Sequence, residues 1–181
     1  MPKKNLSKPV KDHLVYPYLL RNVKIVSCNQ VWSSDITYLP LYKDFIYLVT
    51  VIDWFSRYIL SWEISNSLDV YFCLSALDKA LRNSKPEIFN TDQGSQFTSK
   101  KFTETVIGNQ IQMSMDSKCR ALDNIFIERF WRSLKYENIY LNEYRSILDL
   151  REGLANYFEF YNNQRGHQSL GYKTPSEVYF N

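Results

Sequence analysis

Apolar and polar positions change period several times along this chain, and each change marks an element. Residues 31–39 alternate and are rich in β-formers up to Pro40. Residues 45–53 (FIYLVTVID) are a near-continuous apolar run, which predicts a strand buried on both faces. A third strand is expected over 57–64, with Asp44 and Ser56 suited to the turns between. Three strands joined by short links predict an antiparallel meander.

The period then becomes helical. Over 69–82, Tyr71, Leu74, Leu77 and Leu81 recur on one face, with Asp78, Lys79 and Arg82 polar. A fourth strand is expected over 87–91, a short helix over 100–107 and a fifth strand over 111–115. Strands that alternate with helices predict that the fourth and fifth lie parallel to the first. Residues 123–138 form a strong helix with Ile127, Phe130 and Leu134 toward the core, and Asn124, Glu128, Trp131, Arg132 and Lys135 on another side. A last long helix over 147–162 is expected to bury Leu148, Leu150, Leu154, Tyr157 and Phe158. Thr174-Pro175-Ser176-Glu177 reads as an N-cap with proline at the first helical position. The fold class is therefore α/β: a five-stranded mixed sheet, three antiparallel strands followed by parallel ones, with helices on both faces.

Composition narrows the class. The 181 residues amount to about one domain. No apolar run reaches the ~18 residues of a membrane helix, and the N-terminus lacks the apolar core of a signal peptide. Three widely spaced cysteines, Cys28, Cys73 and Cys119, predict reduced thiols in a cytoplasmic protein. Two histidines and no Cys-x-x-Cys argue against a structural zinc site. Charge is uneven: residues 1–25 carry six basic side chains (Lys3, Lys4, Lys8, Lys11, Arg21, Lys24) against Asp12 alone. Residues 1–28, with Pro2, Pro9 and Pro17, read as a basic arm suited to a polyanion, partly anchored by Tyr16, Tyr18, Leu19 and Leu20; residues 29–181 read as the core with a helical extension.

Three acids stand in suggestive places. Asp35 lies within the first strand, where a carboxylate is costly unless paired or metal-bound. Asp92 leaves the fourth strand into Gly94; a lone Asp-x-Gly is usually a surface turn, so its meaning rests on the other two acids. Glu128 projects from a helix face that is otherwise polar and basic. If the first and fourth strands are neighbours, Asp35 and Asp92 come close. Clustered oxygen ligands suit Mg²⁺ or Mn²⁺, and two such ions serve phosphodiester chemistry.

These residues, taken together and in order, resemble the catalytic domain of IS3-type bacterial insertion-sequence transposases, within the retroviral integrase superfamily of RNase H-like fold. The resemblance runs from about Tyr16 to the C-terminus. It is carried by Trp32-Ser33-Ser34-Asp35-Ile36-Thr37-Tyr38, Asp53-Trp54-Phe55-Ser56-Arg57-Tyr58, Asn90-Thr91-Asp92-Gln93-Gly94-Ser95-Gln96-Phe97, and Asp123-Asn124 with Glu128-Arg129 and Arg132-Ser133-Leu134-Lys135. It ends with Tyr161-Asn162, Arg165, His167, Leu170-Gly171 and Thr174-Pro175. The 35 residues between Asp92 and Glu128 match the family's interval.

The resemblance implies a DDE-type polynucleotidyl transferase: metal-dependent nicking of DNA and transfer of a 3′-hydroxyl. It places catalysis and two metal ions on Asp35, Asp92 and Glu128, and DNA contacts on Arg132, Lys135 and Asn124; Trp131 is expected either to stack on a base as a further DNA contact or to pack as a partly buried ring. The implied partners are insertion-sequence ends, target DNA and at least one further copy of the chain, in a nucleoid-associated setting. Asp53 is expected to order the turn before Ser56-Arg57, and His167 to be a structural cap. Ser117 and Cys119 replace glycines usual in the family, which stiffens that loop, and Gly166 replaces a proline. No helix-turn-helix precedes the core, so the chain is expected to be a catalytic module. The rival reading is a catalytically inactive DNA-binding or assembly protein. A glycosidase, the third class, has no use for the Arg and Lys beside the acids.

Overall fold

The computed structural model describes residues 14–42, 44–116 and 125–181. The arm before Leu14, the loop with Ser117 and Cys119, and Asn124 lie outside the described residues. Strand β1 (Val31–Leu41) is the middle of a five-stranded sheet, flanked on one side by β2 (Asp44–Asp53) and β3 (Ile59–Ser65), and on the other by β4 (Ile88–Thr91) and β5 (Gln112–Met115). The β1–β2–β3 meander is antiparallel, while β4 runs parallel to β1 and β5 parallel to β4. Both orientations agree with the spacing of strands and helices in the sequence. β1 runs through Pro40 to Leu41, beyond the expected end. Past Ser34 it pairs with β2 alone, and a strand with one free edge tolerates proline.

Period-two alternation sends the strands' side chains into two cores. Val31, Leu39, Leu41, Leu48 and Ile52 pack under α3 (Ile125–Glu137) and α4 (Ile147–Asn163). Trp32, Val49, Val51, Phe89 and Met115 face α1 (Tyr71–Leu81) and α2 (Lys100–Gly108). Asn162 ties α4 to the sheet: its amide donates to the Ile59 carbonyl and its oxygen accepts from the Ile59 N–H.

Two helix faces differ from expectation. α1 buries Phe72, Cys73, Ala76, Leu77 and Ala80, and Tyr71 is 62% exposed. The small side chains let α1 approach the sheet closely enough for the Ser61 hydroxyl to donate to the Ala76 carbonyl. A face drawn through the larger apolar residues is therefore rotated from the true one. In α4 Leu148 is exposed; two residues from Leu150, it points to the other side of the helix.

Residues 14–20 lie along the domain: the Leu14 N–H bonds the Thr98 carbonyl, the Leu19 N–H bonds Ser114 Oγ, and Leu20 is buried. At the other end, α5 (Pro175–Tyr179) starts with the expected capping box of Thr174 and Glu177. Its Tyr179 hydroxyl donates to Asn29 Oδ1, and the ring stacks on Tyr58. Among the described residues, no helix is long and apolar enough to cross a membrane.

Candidate active site

β1 and β4 pair from Val31↔Ile88 to Ser34↔Thr91, and the next residue in each strand is an acid, Asp35 and Asp92. From there β4 turns away and the β4-side edge of β1 opens. Asp35, Asp92, Gly94 and Tyr38 line the resulting cleft of about 230 Å³. Asp92 Oδ1 accepts from the Gly94 N–H at 2.9 Å. A Cβ on Gly94 would stand 2.9 Å from that same oxygen, so a side chain there would push the Asp92 carboxylate out of its present position. The turn is braced on β5: Asn90 Nδ2 donates to Asp116 Oδ1, and Gln93 Nε2 to the Asp116 carbonyl.

Asp35 is held on both oxygens. Oδ1 accepts from the Ile36 N–H at 2.8 Å and Oδ2 from Trp131 Nε1–H at 2.9 Å. Burial pushes its carboxyl up to about 6; the Asp92 and Glu128 charges push the same way, against the two hydrogen bonds. Opposite Asp35 in the β1–β2 register stands Thr50, whose buried hydroxyl has no hydrogen-bond partner.

Glu128 lies exposed in the first turn of α3, whose Ile127, Phe130 and Leu134 anchor in the core. Among the described residues it forms no ion pair with Arg132 or Lys135. Lys135 sits 5.3 Å over the Tyr38 ring and Arg132 5.9 Å over Tyr136. Of the two expectations for Trp131, the structure agrees with the packed ring rather than with base stacking. Trp131 is 7% exposed, packs on Phe130, and spends its single donor on Asp35. Among the described residues, no three acid, histidine or cysteine side chains stand close enough to hold a metal ion. Asp35 and Asp92 share a cleft, and Glu128 reaches Asp35 through its field rather than by contact.

Asp53 orders its turn as expected: Oδ1 accepts from the Ser56 N–H and hydroxyl, and Oδ2 from the Asn29 N–H. His167 makes no side-chain cap; its ring meets Tyr161 edge-on beside Arg165. Sequence reasoning missed two features. Arg57 lies 3.5 Å over the Phe126 ring. Glu137 accepts from Arg165 and from the Tyr157 hydroxyl, clamping α3 to α4. Burial alone would raise the Glu137 carboxyl; those hydrogen bonds outweigh it and hold it below the usual value. Partners 69 and 28 residues apart leave no periodic trace.

The integrase core domain family matches residues 27–121, and a second integrase core domain family matches residues 109–175. The chain is 32% identical over 166 residues to the transposase for insertion sequence element IS904 of Lactococcus lactis subsp. lactis (strain IL1403), covering 89% of this chain and 66% of that protein. It is 34% identical over 153 residues to transposase InsF for insertion sequence IS3A of Escherichia coli (strain K12), covering 82% and 53%. The chain thus spans between about half and two thirds of the length of these curated relatives. Among solved structures, the HTLV-2 integrase catalytic core domain in complex with magnesium superimposes with a TM-score of 0.68 at 22% identity, over 87% of this chain and all of that one. The simian T-cell lymphotropic virus intasome gives 0.77 at 18% identity, over 95% and 61%. These neighbours share the RNase H-like sheet order, and the sequence matches carry the assignment further: the chain belongs to the integrase core domain family, in its IS3-type insertion-sequence transposase branch.

Proposed function

We propose that this chain performs divalent-metal-dependent DNA nicking and strand transfer at the ends of an insertion sequence. The observation that carries the reading is that Asp35 and Asp92 each follow the last pair of the parallel β1–β4 ladder and line one cleft, with Glu128 near enough to raise the Asp35 carboxyl.

The donor set fits a hard cation. All three candidates are carboxylates, the pattern suited to Mg²⁺ or Mn²⁺. A carboxyl pushed up to about 6 by burial and by two like charges marks a place short of positive charge. The unpartnered Thr50 hydroxyl beside it is a further unspent polar group. Asp35, Asp92 and Glu128 would hold two ions, which when bound activate the attacking oxygen and stabilise the leaving one. The residues around them do the positioning. Trp131 fixes the Asp35 rotamer, and the Gly94 N–H aims Asp92 into the cleft. Glu128, exposed and without an ion pair among the described residues, is the acid with freedom to swing in. Lys135, over the Tyr38 ring at the cleft, would steady a DNA phosphate beside them, with Asn124 proposed as a further DNA contact, while Arg132 lines a hollow on the other flank of α3. In the transfer step the attacking 3′-oxygen forms the new P–O bond, and the 3′-oxygen of the cut strand leaves. One phosphodiester replaces another, so no external energy source enters. Joining two element ends calls for at least two copies of the chain.

The test is the reverse reaction on a branched DNA with the joint already made, because resealing does not depend on finding an element end. Resealing should require Mn²⁺ or Mg²⁺ and disappear in Asp35→Asn, Asp92→Asn and Glu128→Gln. Equal activity in EDTA, or in Asp92→Asn, would overturn the assignment.

A further inference from the structure

Four guanidinium groups, Arg57, Arg129, Arg132 and Arg165, converge on a hollow of about 330 Å³ between α3, the β2–β3 turn and the segment after α4. Only Arg165 has an acid, Glu137; among the described residues the other three form no ion pair. Asp53, near Arg57 in sequence, has both oxygens occupied by its own turn. Arg57 cannot easily turn to solvent. Its guanidinium is pinned 3.5 Å over the Phe126 ring, and its backbone sits at φ +66°, a conformation rarely adopted by a long side chain. Burial lowers its pKa to about 10, and Arg129 adds to the fall. His167, at the same wall, is pushed down to about 4 by burial and by Arg165 and Arg57, so it stands neutral at pH 7. Four arginine side chains bordering one space, with Glu137 the one acid ion-paired to any of them among the described residues, suit a shared oxyanion.

A second hollow of about 450 Å³ shares Arg57, Phe126 and Ser169 and adds Lys173, with Trp54 and Phe55 as apolar walls. Cations and apolar surface in alternation suit a polymer of phosphates and sugars better than one small anion. Both hollows lie on the flank of α3 away from Trp131, which faces Asp35.

We propose that this arginine-lined hollow is a second DNA-backbone site, seating a phosphodiester on the opposite flank of α3 from the acid pair. It rests on the DNA-binding half of the proposed function and does not depend on metal or chemistry.

The test uses the full chain in EDTA with a duplex of about 20 base pairs, so failure of strand transfer cannot mimic failure of this site. A substitution that frees one phosphate should lower the slope of log affinity on log salt by about 0.9. Arg57→Gln and Arg129→Gln should each show that drop, and Arg57→Lys should retain most of the slope. His167 supplies a direct readout, since the chain has two histidines and His167→Asn assigns the ring signal. Its pKa should rise from about 4 when duplex is added. Unchanged slopes together with an unmoved His167 would overturn the proposal. So would a His167 shift seen with inorganic phosphate but not with duplex, which would mean a small-anion site. A shift that follows protein concentration without DNA would assign the hollow to a second copy and overturn it too.

Discussion

Replacing Asp35 by asparagine should stabilise the metal-free protein while abolishing its proposed chemistry. The buried Asp35 carboxyl rises from 3.8 to about 6. A folded-state value above the unfolded one means that the protonated acid is favoured on folding. Its stability is fully present below about pH 3.8 and is lost as pH rises through about 6. At about 1.4 kcal/mol per tenfold in proton affinity, the ionised acid costs about 3 kcal/mol at pH 7.5. Asparagine is the neutral isostere. It gives up one of the bonds from Ile36 and Trp131, because an amide nitrogen accepts none while the protonated acid keeps a weaker acceptor there, so about 3 kcal/mol is the upper bound of the gain. For a chain of this length, about 3 kcal/mol corresponds to roughly 6–12 °C in Tm. The gain should shrink to about 1 kcal/mol at pH 4.5. His167 acts in the opposite sense: with its pKa held at about 4, stability is lost as pH falls below its unfolded value. Wild type and Asp35→Asn must therefore be compared at each pH, so that His167 cancels. Urea or thermal unfolding in EDTA at pH 4.5 and 7.5 suffices. A fall in Tm at pH 7.5, or an equal gain at both pH values, would show that Asp35 is a hydrogen-bonded structural acid and that crowding of like charges has no part in its setting.

Saturating Mn²⁺ should raise the Tm of the wild type and leave Asp92→Asn unchanged; equal shifts in calorimetry would place the ion elsewhere. Trp131→Phe keeps the ring and removes the donor to Asp35, so it should cost about 1 kcal/mol at pH 7.5 and less at pH 4.5, where the acid is largely neutral; chemical unfolding at the two pH values reads this. Gly94→Ala sets a methyl against Asp92 Oδ1, so strand-transfer rates should fall at least tenfold while Tm moves little. Gly153→Ala improves helix propensity by about 1 kcal/mol, yet its methyl would fall on the Tyr144 ring. Net destabilisation of about 1–2 kcal/mol in urea is expected, as for other overpacked sites.

Strand direction and the mixed sheet with helices on both faces were legible in the chain because they follow from local period and connection length. The run 45–53 reads as a strand covered on both faces, and it is buried on both from Leu48 onward, while Phe45 at its start is exposed. Helices between the later strands favour parallel connections, and β4 pairs parallel to β1 and β5 parallel to β4. The acids stood out in the chain for different reasons: Asp35 because a carboxylate within a strand is costly without a partner, Asp92 and Glu128, both exposed, because their order and spacing match a known family. What the tertiary structure decided lies between elements. It turned α1 onto its small residues, because a sheet accepts the face that approaches closest rather than the face with the largest side chains. It buried Trp131 and gave its donor to Asp35, 96 residues away, making a positioning group of a residue whose period along the helix left its partner unspecified. It also gathered Arg57, Arg129, Arg132 and Arg165 around one hollow. Period along the chain reports which side of one element faces the core; it carries no record of which side chains of different elements meet, because that depends on how the helices rotate and slide as they settle on the sheet.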